Sequence, residues 1–226
     1  MQHLVDHIFK YRYYFIFVSI AVAIMLPALT GRMETIDGLM STLAFSFLII
    51  CSSSIFMKEN FQKKWRVSLS ILLAMLFFVW LSYITSDYLW TTVIRLLLTF
   101  IYLFLVLIGI IKDILSKRSQ IGIEEILGAL STYLLFGILG AILYALLALF
   151  ESGSLTMQVS SETTFTDFVY FSFITLSTVG YGDISPLSPS ARTLSVVLGI
   201  GGQFYMTVVV AIFVGKYISS NHNNKN

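Results

Sequence analysis

The stretch best equipped for chemistry is Thr175-Leu176-Ser177-Thr178-Val179-Gly180-Tyr181-Gly182-Asp183, which carries glycines at alternate positions. Its distinctive groups are main-chain carbonyls, oxygen ligands that can replace the hydration shell of a cation. Holding successive carbonyls on one side requires alternating backbone conformations, some of them left-handed. Glycine adopts those without a Cβ penalty, so Gly180 and Gly182 fit the need. The hydroxyl of Thr178 would add an inner ring of oxygens. Side-chain centres have no comparable candidates. His3, His7 and His222 sit at the two ends of the sequence, and the single cysteine, Cys51, lies in an apolar run. A packed small hydrophobe is its expected role. No cofactor, zinc site, haem site or Cys-His reaction centre is expected, and no enzymatic activity.

The rest of the chain must hold that segment, and its composition says where. Of 226 residues, 57% are hydrophobic and 12% charged, against about 25% charged in a soluble domain. Such a chain belongs in a membrane. A net charge of +2 argues against nucleic acid as a partner. A spanning helix needs about 20 mostly apolar residues. Six runs qualify, at roughly 13–30, 36–57, 67–84, 88–111, 126–150 and 191–216. If they alternate, all of the 14 Lys and Arg residues except Arg32, Arg95 and Arg192 fall on one side. That bias predicts cytoplasmic N- and C-termini. Lys10 to Gly31 resembles a secretory signal, but Ala28-Leu29-Thr30-Gly31-Arg32 is a poor cleavage site. The first helix is therefore expected to stay. Two stretches, Leu4 to Phe9 and Ile114 to Ile123, carry apolar residues at helical spacing and are expected to lie along the membrane surface.

Between the fifth and sixth runs lies a gap of about forty residues, long enough to carry function. Thr164-Phe165-Thr166-Asp167 fits a capping box. From Phe165 to about Ser177 a helix of about 20 Å would form, too short for the roughly 30 Å hydrocarbon core. It must dip in and return through non-helical backbone, which is tolerated only where protein buries it or where it lines a wet cavity. Thr178 to Gly182 is that return. A cation waiting at its inner mouth would be favoured by the negative carbonyl end of the half-helix.

Thr178-Val179-Gly180-Tyr181-Gly182-Asp183 resembles the potassium-channel selectivity filter. From Tyr170 to Arg192, followed by Gly202-Gln203-Phe204-Tyr205, the sequence is similar to small bacterial potassium channels. The resemblance covers about residues 126 to 217. It implies an all-α membrane protein with six transmembrane helices, plus a re-entrant pore helix and selectivity filter between helices five and six. It also implies a homotetramer of identical subunits surrounded by membrane lipids in the plasma membrane, the inner membrane of a bacterium. Potassium is the transported ion, bound at Thr178, Val179, Gly180 and Tyr181. The resemblance makes Asp183, Tyr170 and Phe171 supports of the filter and Gly202 an inner-helix hinge. Gln203, Met206, Val210 and Val214 become the lining of the cavity or gate. Two departures matter. Tyr170 and Phe171 replace tryptophans common in relatives, which unsettles the hydrogen bonds around Tyr181. Ile174 replaces a glutamate found in some relatives.

The expected domains are a cytoplasmic segment at 1–12, a four-helix domain at 13–111, a cytoplasmic linker at 112–125, the pore domain at 126–217 and a disordered polar tail at 218–226. Voltage-gated relatives carry arginines every third residue of the fourth helix, whereas here Arg95 stands alone. It lies near the outer end, where it can snorkel towards Asp87. Little intrinsic voltage sensing and no soluble gating domain are expected. The expected function is passive, potassium-selective conduction. The alternatives are a subunit needing another subunit or a stimulus, and a less selective cation channel. A coupled transporter is disfavoured because those with filter-like loops repeat the pore unit and degrade the filter.

Overall fold

The computed structural model describes residues 11–30, 34–57, 80, 88–116, 122–157 and 164–223. The expected third span, the basic cluster from Lys58 to Arg66, Asp87 and the stretch from Leu4 to Phe9 lie outside the described residues. Most of what is described is helix, as apolar segments require when their backbone groups must be satisfied internally. The helices are α1 (Arg12–Thr30), α2 (Glu34–Ser52), α3 (Leu89–Ser116), α4 (Ile123–Phe150), α5 (Phe165–Leu176) and α6 (Pro189–Asn223). A 3-10 turn, Ser53–Met57, follows α2.

Three of these are long and apolar enough to cross a membrane: α3, α4 and residues Pro189–Gly215 of α6. The apolar parts of α1 and α2 that qualify, Arg12–Leu26 and Thr42–Ile55, are shorter. α1 packs on α2 and α4, and α3 packs on α4. Ile16, Ile20, Leu48, Leu103, Ile110 and Leu135 form the shared core of these four helices. A second core holds α5 between α4 and α6, around Tyr144, Phe171, Ile174 and Leu198.

The structure corrects several boundaries. α3 runs to Ser116, past the expected end at residue 111, so Ile114 and Leu115 belong to it and not to a surface helix. Lys112 and Asp113 do not end the helix, because Asp113 is buried and paired with Arg12 of α1. The linker shortens accordingly, and α4 begins at Ile123, where the Gly122 N–H donates to Glu125 Oε2 at 2.9 Å. α6 continues to Asn223, through much of the stretch expected to be disordered. After Gly215 no glycine or proline stops it, and extending a formed helix is far easier than starting one. The chain is also not purely helical. Leu155–Met157 (β1) pairs antiparallel with Ile184–Pro186 (β2), with Thr156 opposite Ser185. This ribbon ties the loop after α4 to the segment that follows Gly182.

Candidate functional site

α5 carries the site. At its start the Thr164 N–H and hydroxyl both donate to Asp167 Oδ2, at 2.8 and 2.9 Å. With 12 residues it is about 18 Å long, so it supports the following backbone without crossing. Two glycines of α4 let it dock closely. A Cβ at Gly137 would lie 2.4 Å from Phe173 Cζ, and one at Gly140 would lie 2.4 Å from Ser172 Oγ. Small residues play this part between membrane helices. The Ser172 hydroxyl then donates to the Gly137 carbonyl at 2.7 Å, fixing the register.

Beyond α5 the backbone alternates. Thr178, Gly180 and Gly182 have φ of 60°, 54° and 83°, a left-handed residue at every second position. The N–H groups of Val179 and Gly180 both donate to the Ile174 carbonyl, at 2.9 and 3.2 Å. In a trans peptide the carbonyl points opposite to the N–H. The carbonyls of Thr178 and Val179 therefore turn together away from α5, towards the face that a single chain leaves open. Thr178 to Gly182 are all exposed there. Such a row of carbonyls can coordinate a dehydrated cation once other strands complete the shell. The two glycines were legible as conformational necessities. The left-handed Thr178 was not, since a β-branched residue gives no such signal.

Just after Gly182, the Tyr170 hydroxyl donates to Asp183 Oδ2 at 2.6 Å. This hydroxyl holds the Asp183 carboxyl below the usual carboxylate range, with smaller help from the backbone N–H of Ile184. Phe171 turns the other way and packs on Tyr144, ring centroids 4.7 Å apart. The Tyr144 hydroxyl is 2.8 Å from Ser195 Oγ of α6. Within one chain Tyr181 remains 74% exposed. Of the three residues expected as supports, Tyr170 and Asp183 bond each other and Phe171 joins α5 to α4.

Gln203, Met206, Val210 and Val214 are all exposed and recur along one stripe of α6. Gly202, beside them, is buried. A Cβ there would lie 2.4 Å from the Leu176 carbonyl oxygen, so the glycine lets α6 pass directly under the end of α5. α6 is helical through this position, with no break.

Two charged features complete the picture. Arg95 is half-buried beside a small cavity of about 100 Å³, with Thr42, Thr99 and Phe165 among its neighbours. Asp87, its expected partner, lies outside the described residues. Arg12 and Asp113, both 5% exposed, form an ion pair joining the start of α1 to the end of α3. The Tyr13 hydroxyl also donates to Asp113, at 2.5 Å. The Tyr13 ring borders Gly128 of α4, where a Cβ would lie 3.2 Å from it. No sequence signal linked two residues so far apart.

Residues 130–219 match the family model described as "Ion channel". The voltage-gated potassium channel Kch of Escherichia coli (strain K12) is 29% identical over 174 residues, which is 74% of this chain and 36% of that protein. The chain thus spans little more than a third of this relative's length. No solved structure matches the chain. Residues 130–219 thus resemble an ion-channel segment, and the carbonyl row with its contacts at 170–183 lies inside that matched stretch.

Proposed function

We propose that this chain is one subunit of a homotetrameric, potassium-selective channel that conducts passively across the plasma membrane. The carrying observation is the left-handed backbone at Thr178, Gly180 and Gly182, with the N–H groups of Val179 and Gly180 both turned to Ile174. One chain supplies one strand of carbonyls, and a cation in their midst needs several. Identical subunits in a closed ring meet that need, and the open faces of the filter and of α6 leave room for them. In this reading Thr178, Val179, Gly180 and Tyr181 bind potassium, and Gly182 completes the strand. Asp183 and Tyr170 brace its outer end. Gln203, Met206, Val210 and Val214 line the cavity or gate, where apolar side chains close a pore by dewetting. Six spans with both termini in the cytoplasm remain the topology that the charge pattern favours.

The match to an ion-channel family model and the likeness to a protein named as a potassium channel both agree with this reading. The test is the reversal potential of the purified protein in planar bilayers, under a potassium gradient with sodium opposite. A value near the potassium equilibrium potential is expected. A value near zero would overturn selectivity.

A further inference from the structure

An apolar cavity of about 390 Å³ lies between α3, α4 and α6, towards the Lys112 end of α3. Its walls include Ile111 and Leu115 of α3, Ala129 and Phe136 of α4, and Val208 and Ile212 of α6. Two hydroxyl-bearing side chains reach it, and both donate elsewhere. The Tyr205 hydroxyl donates to the Ala129 carbonyl at 2.6 Å, and the Thr132 hydroxyl donates to the Gly128 carbonyl at 2.9 Å. A buried water needs two to four polar partners, which this wall does not supply. An unpaired ion would be costlier still. The interior chemistry fits hydrocarbon, as apolar clefts between bundle helices do.

The charge at the cavity's edge narrows the occupant. Lys112 is exposed and lies three residues before Leu115, on the same side of α3. Lys117 and Arg118 follow in sequence. Asp113 would offset this positive charge, but its own charge is met by Arg12 inside the fold. A second copy of the chain could also offer apolar side chains to the cavity, but the exposed cation beside it favours an occupant that brings an anion together with an apolar tail.

We propose that the cavity is a phospholipid site that takes an acyl chain between α3, α4 and α6 while Lys112 holds the lipid phosphate, favouring anionic headgroups. Val208 and Ile212 lie on the same helix as Met206 and Val210, on a different face. A bound chain therefore braces the inner helix from behind its exposed stripe. The site depends on the membrane setting of these helices and not on potassium conduction.

The test is native mass spectrometry of the full-length protein in detergent, titrated with phosphatidylglycerol or with phosphatidylcholine of the same acyl chains. Wild-type protein is expected to retain phosphatidylglycerol about fivefold more tightly, the effect of one lysine at a lipid surface. Lys112→Gln should remove that preference. Val208→Trp, which fills the cavity, should lose both lipids, and Leu115→Trp at its edge gives the same test should Val208→Trp assemble poorly. Glycerol phosphate, which has the anion but no tail, should not be retained. Lipid retention unchanged by both tryptophan variants would overturn the site. So would a spontaneous disulfide between subunits in Leu115→Cys, made in a Cys51→Ser background, since a neighbouring subunit would then cover the cavity.

Discussion

The hydroxyl of Tyr170 donates to Asp183 Oδ2 at 2.6 Å, joining the middle of α5 to the residue just after Gly182. The bond spans the two arms of a hairpin, one helical and one extended, and its loss should free the Gly182 end of the carbonyl row. Tyr170→Phe and Asp183→Asn should each keep the reversal potential but lower steady-state current severalfold, through faster loss of conduction after opening. Tyr170→Trp, which retains a ring donor, should restore much of it. Unchanged current kinetics in both disabling variants would remove this role.

The same bond sets an acid limit. Asp183 is held below its ordinary value of 3.8 by the Tyr170 hydroxyl. A depressed carboxylate contributes its stabilisation above the ordinary value, and the contribution is lost as pH falls through the depressed one. Outer-mouth conduction should therefore be flat from neutral pH down to about pH 4, then fall in stronger acid. An external pH series on wild type and Asp183→Asn checks this. A wild-type decline centred near pH 6 would place the titrating group elsewhere.

Within one chain, Gly180 and Gly182 have open space where a Cβ would stand, so no contact of that chain excludes a side chain. The left-handed φ does, at about 1–2 kcal/mol for an ordinary residue. Gly180→Ala and Gly182→Ala should abolish selective current while the protein still inserts and assembles. Gly153 is a matched control, since it too has a left-handed φ, 80°, and open space, but lies in the loop after α4. Gly153→Ala should leave the reversal potential where it was. Equal selectivity in all three variants would sink the carbonyl assignment.

The parts of this site that could be read from sequence are those encoded locally. The alternate glycines announce their backbone, and Thr164 with Asp167 announces the start of α5. The contacts that hold the site in place are not local. Leu155-Thr156-Met157 reads as polar loop until its partner, Ile184-Ser185-Pro186, is beside it. Asp113 reads as the end of a span until Arg12 supplies its counter-charge from the far end of the chain. The role of Gly202 depends on a carbonyl from another helix, which no local pattern contains. Left-handed Thr178 is imposed by the geometry around it, against its own preference.

Gly202 and Gly199 separate packing from bending. A Cβ at Gly202 meets the Leu176 carbonyl oxygen at 2.4 Å, whereas one at Gly199 comes no nearer than 3.8 Å to Thr175 O. Gly202→Ala should lower the thermal stability of the assembly by about 1–3 kcal/mol, the usual cost of overpacking. Gly199→Ala should be neutral or slightly stabilising. If Gly202→Ala changes open probability with no loss of stability, the hinge role accounts for the glycine better than packing does.

Breaking the Arg12–Asp113 pair on one side leaves a buried charge without its partner, which typically costs about 3–5 kcal/mol. Arg12→Gln and Asp113→Asn should each destabilise the protein substantially. Arg12→Met combined with Asp113→Leu should recover most of the loss, because paired apolar replacements avoid the stranded charge. Thermal unfolding of the three variants checks the ordering. A double variant as unstable as the sum of the singles would mean that the two residues act independently.

Arg95 is the one basic residue of α3 short of Lys112, and it lies about two turns from the helix start. A charge crossing the whole membrane field is worth about 2.3 kcal/mol per 100 mV, and steep gating draws on three or four in each subunit. A lone arginine near one end of its helix crosses only part of that field. The conductance–voltage relation should therefore be shallow, and Arg95→Gln should not change its slope. The substitution should instead alter the packing beside Thr42, Thr99 and Phe165, the last being the first residue of α5. Its effect would then be a voltage-independent change in open probability. Recording both variants over the same voltage range decides the matter, because a steep wild-type curve that flattens in Arg95→Gln would make α3 a voltage sensor.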